Sequence, residues 1–104
     1  MLIEVEEQSG KWIVGQKGEI CDDVCQKSSS QCDSSKQSEL TTPEKVKKAM
    51  KDAGFSCKKF AGREYAGTPF YGDGTCVYLK NRAKSVCNSI RFPNIQPLCY
   101  CRGK

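Results

Sequence analysis

The chain has 104 residues, of which 38% are hydrophobic, and it carries a formal net charge of +5 without any histidine. This length suits one domain with a modest core, and no apolar run is long enough to span a membrane. Because histidine is absent, metal sites with histidine ligands and acid–base catalysis by histidine are excluded. The densest group of charges is Lys45, Lys47, Lys48 and Lys51; it predicts a solvated helix face rather than a nucleic-acid surface, while an acidic glycan or another anionic partner stays open.

The first third of the chain predicts a strand, a helix and a loop. Residues 1–10 are predicted to be a tail or a short strand, and residues 11–104 a single cysteine-rich domain. Residues 11–14 form a predicted strand whose Trp12 we assign to the core. Residues 18–27 place their apolar side chains at helical spacing and their acidic ones near the N-terminal end, which predicts a helix. Residues 28–38 are rich in serine and are predicted to be a loop.

The remainder predicts a second helix and several short strands. Thr42 is the expected N-cap, Pro43 the first helical residue and Gly54 the stop signal, with an apolar face that includes Val46 and Met50. Strands are predicted at residues 56–60, 75–79, 85–87 and 98–101, with loops at 62–74 and 93–97. We therefore expect a small disulfide-rich α+β fold, with two helices packed on a small, mostly antiparallel sheet and four disulfides.

Eight cysteines dominate the chemistry of the chain, and they are Cys21, Cys25, Cys32, Cys57, Cys76, Cys87, Cys99 and Cys101. Only the first pair has a spacing that suits zinc, and the Cys-x-x-Cys motif of thiol redox enzymes is absent. We expect every cysteine to be paired, with no metal and no cofactor. Disulfides predict a secreted, cell-surface or secretory-pathway location, and residues 1–7 do not resemble a signal peptide, so we expect a longer precursor.

The cysteine pattern resembles that of a known module. The stretch Gly18-Glu19-Ile20-Cys21-Asp22-Asp23-Val24-Cys25-Gln26, followed by Cys32, Cys57, Cys76-Val77, Cys87 and Cys99-Tyr100-Cys101-Arg102, resembles the cysteine-rich C-terminal module of N-acetylglucosaminyltransferase V, the Golgi β1,6-branching transferase for N-glycans. The resemblance covers residues 15–102 and all eight cysteines. It implies a fold, a compartment and a glycoprotein setting, but nothing in the chain resembles a nucleotide-sugar site, and the insertion between Cys57 and Cys76 departs from that module.

The same resemblance implies the disulfide pairing. A helix places Cys21 and Cys25 about 6 Å apart on one face, and a strand places Cys99 and Cys101 roughly 6.6 Å apart on one face, so two parallel bridges can join the first helix to the last strand. The related module is paired in this nested way, which implies Cys21–Cys99, Cys25–Cys101, Cys32–Cys87 and Cys57–Cys76.

Three functions fit these observations. The first is a non-catalytic binding or interaction module, monomeric in isolation, that contacts an extracellular protein or a glycan. The second, which the resemblance suggests, is an accessory domain of a glycan-processing glycosyltransferase. The third is a free secreted signalling ligand, such as a protist pheromone, or a toxin-like effector. We expect no enzymatic activity, because the adjacent carboxylates Asp22 and Asp23 would point to different faces of a helix.

The segment from Arg63 to Gly74 is the predicted binding surface. It holds three of the eight Tyr and Phe residues of the chain. Its glycines allow close backbone approach, and Tyr and Arg are frequent at binding hot spots. The predicted binding residues are Arg63, Tyr65, Phe70, Tyr71 and Asp73. The alternative is that Phe70 and Tyr71 fold back to cover a small core, and the sequence leaves both readings open.

Overall fold

A computed structural model describes residues 10–64, 68–81, 84–88 and 93–103. That part of the chain forms a small disulfide-rich α+β fold, as predicted. Its elements are β1 (Gly10–Val14), α1 (Cys21–Lys27), β2 (Gln31–Cys32), α2 (Ser34–Gln37), α3 (Pro43–Asp52), β3 (Lys59–Arg63), β4 (Phe70–Gly72), β5 (Thr75–Leu79) and β6 (Gln96–Arg102). The predicted tail or strand at residues 1–10 lies outside the described residues up to position 9, and Gly10 begins β1.

The strands form one mixed sheet in the order β1-β6-β4-β5-β3, and β2 also pairs with β6. Every pairing is antiparallel except that of β3 with β5. β6 pairs with β1 on one side and with both β4 and β2 on the other, so it has more partners than any other described strand. Residues far apart in the sequence meet on this strand.

One face of the sheet packs against α3. This helix begins as predicted: the Thr42 hydroxyl accepts a hydrogen bond from the Lys45 backbone N–H at 3.2 Å, and Pro43 is the first helical residue. Its buried side chains form an apolar cluster with Leu98 and Cys76 of the sheet, and they are Val46, Ala49 and Met50. The helix ends at Asp52, and Gly54 follows with a φ of +88°, which only glycine adopts readily. Apolar packing therefore holds α3 to this face, and the Cys57–Cys76 bridge lies within the same cluster.

The opposite face packs against α1. This helix begins at Cys21, three residues later than predicted, and its N-cap residue Ile20 provides no capping side chain. Its buried cluster consists mainly of cysteines that are bridged to β6, with Val24 as the apolar exception. Two disulfides, Cys21–Cys99 and Cys25–Cys101, join helix and strand with Cα–Cα distances of 5.4 and 5.2 Å. The parallel stapling that the spacing allowed is therefore present.

All eight cysteines are paired, and all four predicted bridges are confirmed. Cys32–Cys87 joins β2 to the segment after β5, and Cys57–Cys76 joins the end of the α3 region to β5. The sulfur atoms that a zinc site would need are therefore engaged in covalent bonds with each other.

The prediction of a loop over residues 28–38 was wrong. This segment contains β2 and the short helix α2. The Asp33 carboxylate starts α2 by accepting hydrogen bonds from the backbone N–H groups of Ser35 and Lys36, so polar residues that favour turns here act as a cap. The buried Gln37 ends this helix, and the fold consequently has a third helix that periodicity could not indicate.

Other boundaries also differ from the predictions. The strand predicted at residues 56–60 begins at Lys59, where pairing with Thr75 starts. The predicted strand at residues 85–87 is absent, since Ser85 instead bonds to Ser38 and Gln37. Pro97 lies inside β6 rather than at the end of a loop; it lacks an N–H, but its carbonyl accepts a bond from Gly15 at 2.9 Å.

The predicted loop at residues 62–74 contains the end of β3 and all of β4. The predicted tight turn is confirmed at Asp73 and Gly74, whose φ values of +50° and +83° join β4 to β5 as a hairpin.

Candidate functional site

An open groove of about 490 Å³ lies between α3 and the side of the sheet formed by β1 and β6. Its aromatic floor consists of Trp12 from β1 and Tyr100 from β6. Its charged rim carries three ammonium groups and two carboxylates, and these belong to Lys36, Lys45, Lys48, Glu39 and Asp52. Three segments distant in sequence therefore meet around one concave surface.

Strand pairing sets the aromatic floor. Trp12 stands directly opposite Tyr100 in the ladder between β1 and β6, so both side chains emerge on the same face of the sheet. Their ring centroids are 4.9 Å apart at an interplanar angle of 64°, an edge-to-face arrangement that aromatic pairs favour. The Lys36 ammonium lies 6.0 Å from the Tyr100 ring centroid, at the limit of a cation–π contact.

Hydrogen bonds, one of them buried, hold the Tyr100 side of the groove in place. The backbone N–H of Tyr100 donates to Gln37 Oε1 at 2.9 Å, while Gln37 Nε2 donates to Ser85 Oγ at 2.9 Å. The Tyr100 hydroxyl accepts a bond from the Gly10 backbone N–H at 2.9 Å. A Cβ atom at Gly10 would lie 2.5 Å from Tyr100 Cε2, so glycine is required for this close approach. The floor is consequently rigid rather than free to rearrange.

Helix periodicity sets the charged rim. Lys45, Lys48 and Asp52 recur at intervals of three and four residues, so they share one side of α3. Lys47 and Lys51 are also exposed but do not line the groove. The predicted solvated lysine face is therefore divided, because only part of it borders the aromatic floor. The lysine ammonium groups and the carboxylates around the groove can supply both hydrogen-bond donors and acceptors to a polar ligand.

The residues predicted to bind a partner do not form one cluster. Arg63 pairs with Leu79 at one end of β5, whereas Asp73 lies in the turn before Thr75 at the other end. The four-residue separation along β5 corresponds to about 13 Å. Phe70 and Tyr71 are neighbours on β4 and therefore point to opposite faces of the sheet. Tyr65 lies outside the described residues.

The segment from Arg63 to Gly74 was predicted either to bind a partner or to cover the core, and the structure bears differently on these two interpretations. Tyr71 packs against the apolar cluster beneath α3, with its ring centroid 4.9 Å from that of Phe55. Phe70 is half-buried, while Arg63 and Asp73 are exposed. Tyr71 thus contributes to the core cover that the sequence left open as the alternative, and binding of a partner by this segment stays a prediction.

A possible ligand set for a metal can be dismissed on chemical grounds. Asp22, Cys32 and Cys87 bring a carboxylate and two sulfurs within 4.8 Å of one another. Both sulfurs belong to one disulfide, and a disulfide offers no thiolate to a metal ion. Asp22 instead lies in the first turn of α1, where its charge suits the helix N-terminus, as predicted.

Sequence reasoning missed the groove. Trp12 was assigned to the core, and it does pack against the apolar cluster, yet it is only half-buried and also lines the groove. Tyr100 was recognised only as part of the terminal Cys-x-Cys motif. The pairing of positions 12 and 100 depends on the register between the first and last strands, and no local signal in the sequence predicts that register.

None of the helices in the described part is both long enough and apolar enough to cross a membrane. Four disulfides fit a small extracellular or secretory-pathway domain. In comparisons with known proteins, the chain matches no protein-family model and no curated protein sequence. The resemblance to the transferase module therefore remains a hypothesis that rests on the cysteine pattern.

Proposed function

We propose that the chain is a non-catalytic binding module of the extracellular space or the secretory-pathway lumen, and that its groove holds a saccharide segment of a glycan or glycoprotein. The observation that carries this proposal is the edge-to-face pair of Trp12 and Tyr100 at the floor of a groove with a charged rim. Binding sites commonly combine aromatic walls with a few polar groups that fix the orientation of the ligand.

The chemistry of the groove matches that of a sugar ring. A sugar ring presents apolar C–H faces, which pack on aromatic rings, and hydroxyl edges, which both donate and accept hydrogen bonds. Glu39 and Asp52 can accept such bonds, and Lys36, Lys45 and Lys48 can donate them. The excess of one ammonium group favours saccharides that carry a carboxylate or a sulfate over neutral ones, since charged acceptors strengthen these hydrogen bonds.

Rigidity supports binding rather than turnover. The disulfides Cys21–Cys99 and Cys25–Cys101 fasten β6, which carries Tyr100, to α1. A surface that is already ordered loses little conformational entropy when a ligand binds. We assign Glu39 and Asp52, which line the groove beside its aromatic pair, to ligand binding.

Trp12 is the only tryptophan of the chain, so its fluorescence reports directly on the groove. We expect acidic oligosaccharides to change this fluorescence in a saturable titration. Replacing Lys45 and Lys48 together by alanine should weaken binding by about tenfold, equivalent to about 1.4 kcal/mol. The matched control replaces Lys47 and Lys51 by alanine. These residues lie on the same helix, and their replacement removes the same amount of charge.

Three outcomes would contradict the proposal. Either no saccharide, neutral or acidic, alters Trp12 fluorescence, or the two lysine pairs weaken binding equally, which would indicate general charge attraction instead of a site. Release of shortened oligosaccharides during the titration would show that the module is catalytic.

The alternatives predicted from the sequence remain open to a separate test. An accessory role beside a glycosyltransferase requires a transferase domain in the same reading frame. A free signalling ligand or toxin-like effector requires only a leader sequence before this domain. Sequencing the complete reading frame distinguishes the two.

A further inference from the structure

The sheet has an open edge at β3, on the far side of the strand order from β1 and the groove. β3 pairs with β5, and no other strand of the described chain pairs with it. A strand in this position offers unpaired backbone groups to a further strand. The direction of those groups follows from the bonds that β3 makes.

The backbone groups of Phe60 and Gly62 face outward. The Lys59 N–H donates to the Gly74 carbonyl at 3.1 Å, and the Arg63 carbonyl accepts from the Lys80 N–H at 3.0 Å. Residues 59 and 63 therefore direct their backbone groups toward the β5 side, and alternate residues of a strand direct theirs the opposite way. The outward Gly62 carbonyl accepts a bond from Arg63 Nη1 at 2.9 Å, so the arginine of this strand covers one of the open acceptors.

Charge around the edge is mainly positive. Four exposed cations border β3, namely Lys58, Lys59, Arg63 and Lys80. The carboxylates nearby are Glu64, which accepts a hydrogen bond from the Asn81 amide, and Asp73, which lies in the hairpin turn. Phe60 is 39% exposed in the middle of this surface, and it is one of two large apolar side chains that the described residues expose to this extent.

We propose that the β3 edge accepts an acidic, extended segment of a partner protein as an added strand. The incoming backbone pairs with the outward groups of Phe60 and Gly62, in the manner of strand addition. Acidic side chains of the segment meet Lys59 and Arg63, whose guanidinium moves from the Gly62 carbonyl to a carboxylate and thereby frees that carbonyl for the ladder. An apolar residue of the segment covers Phe60.

A second copy of the chain fits this edge less well. In the fully overlapping antiparallel pairing of β3 with another β3, Lys59 of each copy lies opposite Arg63 of the other. Like charges directly opposite each other destabilise a strand pair. The charge pattern therefore favours a partner of opposite sign over self-association.

The test uses the whole oxidised chain and a short synthetic peptide of alternating glutamate and valine. We expect saturable binding together with slower hydrogen exchange at the amides of Phe60 and Gly62, because these N–H groups enter a new ladder. Replacing Lys59 and Arg63 by alanine should weaken binding by tenfold or more, whereas replacing Lys47 and Lys51 on α3 should leave it within about twofold. Melting temperatures of both variants show whether each one is folded.

Two controls decide the outcome. The same peptide with every backbone amide N-methylated cannot donate to the ladder from either edge and should not bind. If it binds equally well, or if exchange slows elsewhere and not at Phe60 and Gly62, the strand-addition proposal is wrong. Binding to vesicles of anionic phospholipid but not to the peptide would assign the basic edge to a membrane surface and would overturn the proposal too. Because this edge is separate from the groove, neither result bears on saccharide binding.

Discussion

The two faces of the sheet are held together by different means. The α3 face has an apolar cluster in which Val46 and Met50 are completely buried, and its helix begins with a hydroxyl cap and a proline. The α1 face has a shorter helix without a capping side chain, and four of its five buried cluster residues are cysteines. Where apolar packing is sparse, covalent bonds replace it.

This difference explains why a chain with a modest core folds. A seven-residue helix is far shorter than the length at which isolated helices become stable in water. Two bridges to β6 remove most of the freedom that α1 would otherwise gain on unfolding. The longer α3 needs no covalent link of its own, because its apolar face is buried along its length. The comparison predicts that the two faces respond differently to the loss of bridges and to the loss of packing.

Removing the two α1 bridges should produce the largest effect. Replacing Cys21, Cys25, Cys99 and Cys101 by alanine should lower the free energy of unfolding by about 4 kcal/mol or more, because the bridges close loops of 78 and 76 residues. Replacing only Cys21 and Cys99 should cost far less, since Cys25–Cys101 still closes nearly the same loop. Denaturant unfolding of the two variants measures the difference.

The matched control removes the Cys57–Cys76 bridge, which closes a loop of 19 residues. Its loss should lower the free energy of unfolding by about 3 kcal/mol. Hydrogen exchange locates the damage. Loss of the two α1 bridges should speed up hydrogen exchange at the amides of α1 more than at those of α3. Equal loss of protection in both helices would contradict the division between the two faces.

Truncation of a buried apolar side chain should destabilise the protein more on the α3 face than on the α1 face. Met50→Ala should lower the free energy of unfolding by about 2–5 kcal/mol, because a completely buried side chain leaves a cavity beneath α3. Val24→Ala removes two carbon atoms from the α1 cluster and should cost about 1.5 kcal/mol. Thermal or denaturant unfolding checks both values. A larger loss for Val24→Ala would show that α1 also depends on packing.

The smallest expected effect concerns Glu19, just before α1. Burial raises the pKa of its carboxyl, but the hydrogen bond and charge of Lys27, together with the backbone N–H of Gln16, hold that pKa below its usual value of 4.5. The charged carboxylate therefore stabilises the fold above about pH 4.5, and this contribution is lost as the pH falls through the lowered pKa.

Glu19→Gln should reduce the free energy of unfolding by about 0.2–1 kcal/mol at pH 7, because the pair with Lys27 is partly exposed. Unfolding curves at neutral and acidic pH compare the variant with the native chain. The difference between the two should shrink as the pH falls below 4.5. A difference that is independent of pH would show that Glu19 acts through packing and not through its charge.

Local signals predicted the parts of the fold that depend on neighbouring residues. Thr42, Pro43 and Gly54 marked the ends of α3, and Asp73 and Gly74 marked the hairpin turn. In each case the conformation follows from the chemistry of a few adjacent residues. The short helix α2 was missed because Asp33 and the serines around it favour both turns and helix caps. Their role was decided by the pairing of β2 with the last strand.

The sequence by itself determined the class of the fold and the ends of α3, and the cysteine pattern implied the bridges. Tertiary structure alone decided which side chains line the groove and which strand lies at the edge of the sheet. Trp12 meets Tyr100 only because β1 and β6 pair in one register, and β3 is an edge strand because β5 is its sole partner among the described strands. Strand order and register arise from contacts between residues far apart in the chain, so no local pattern contains them.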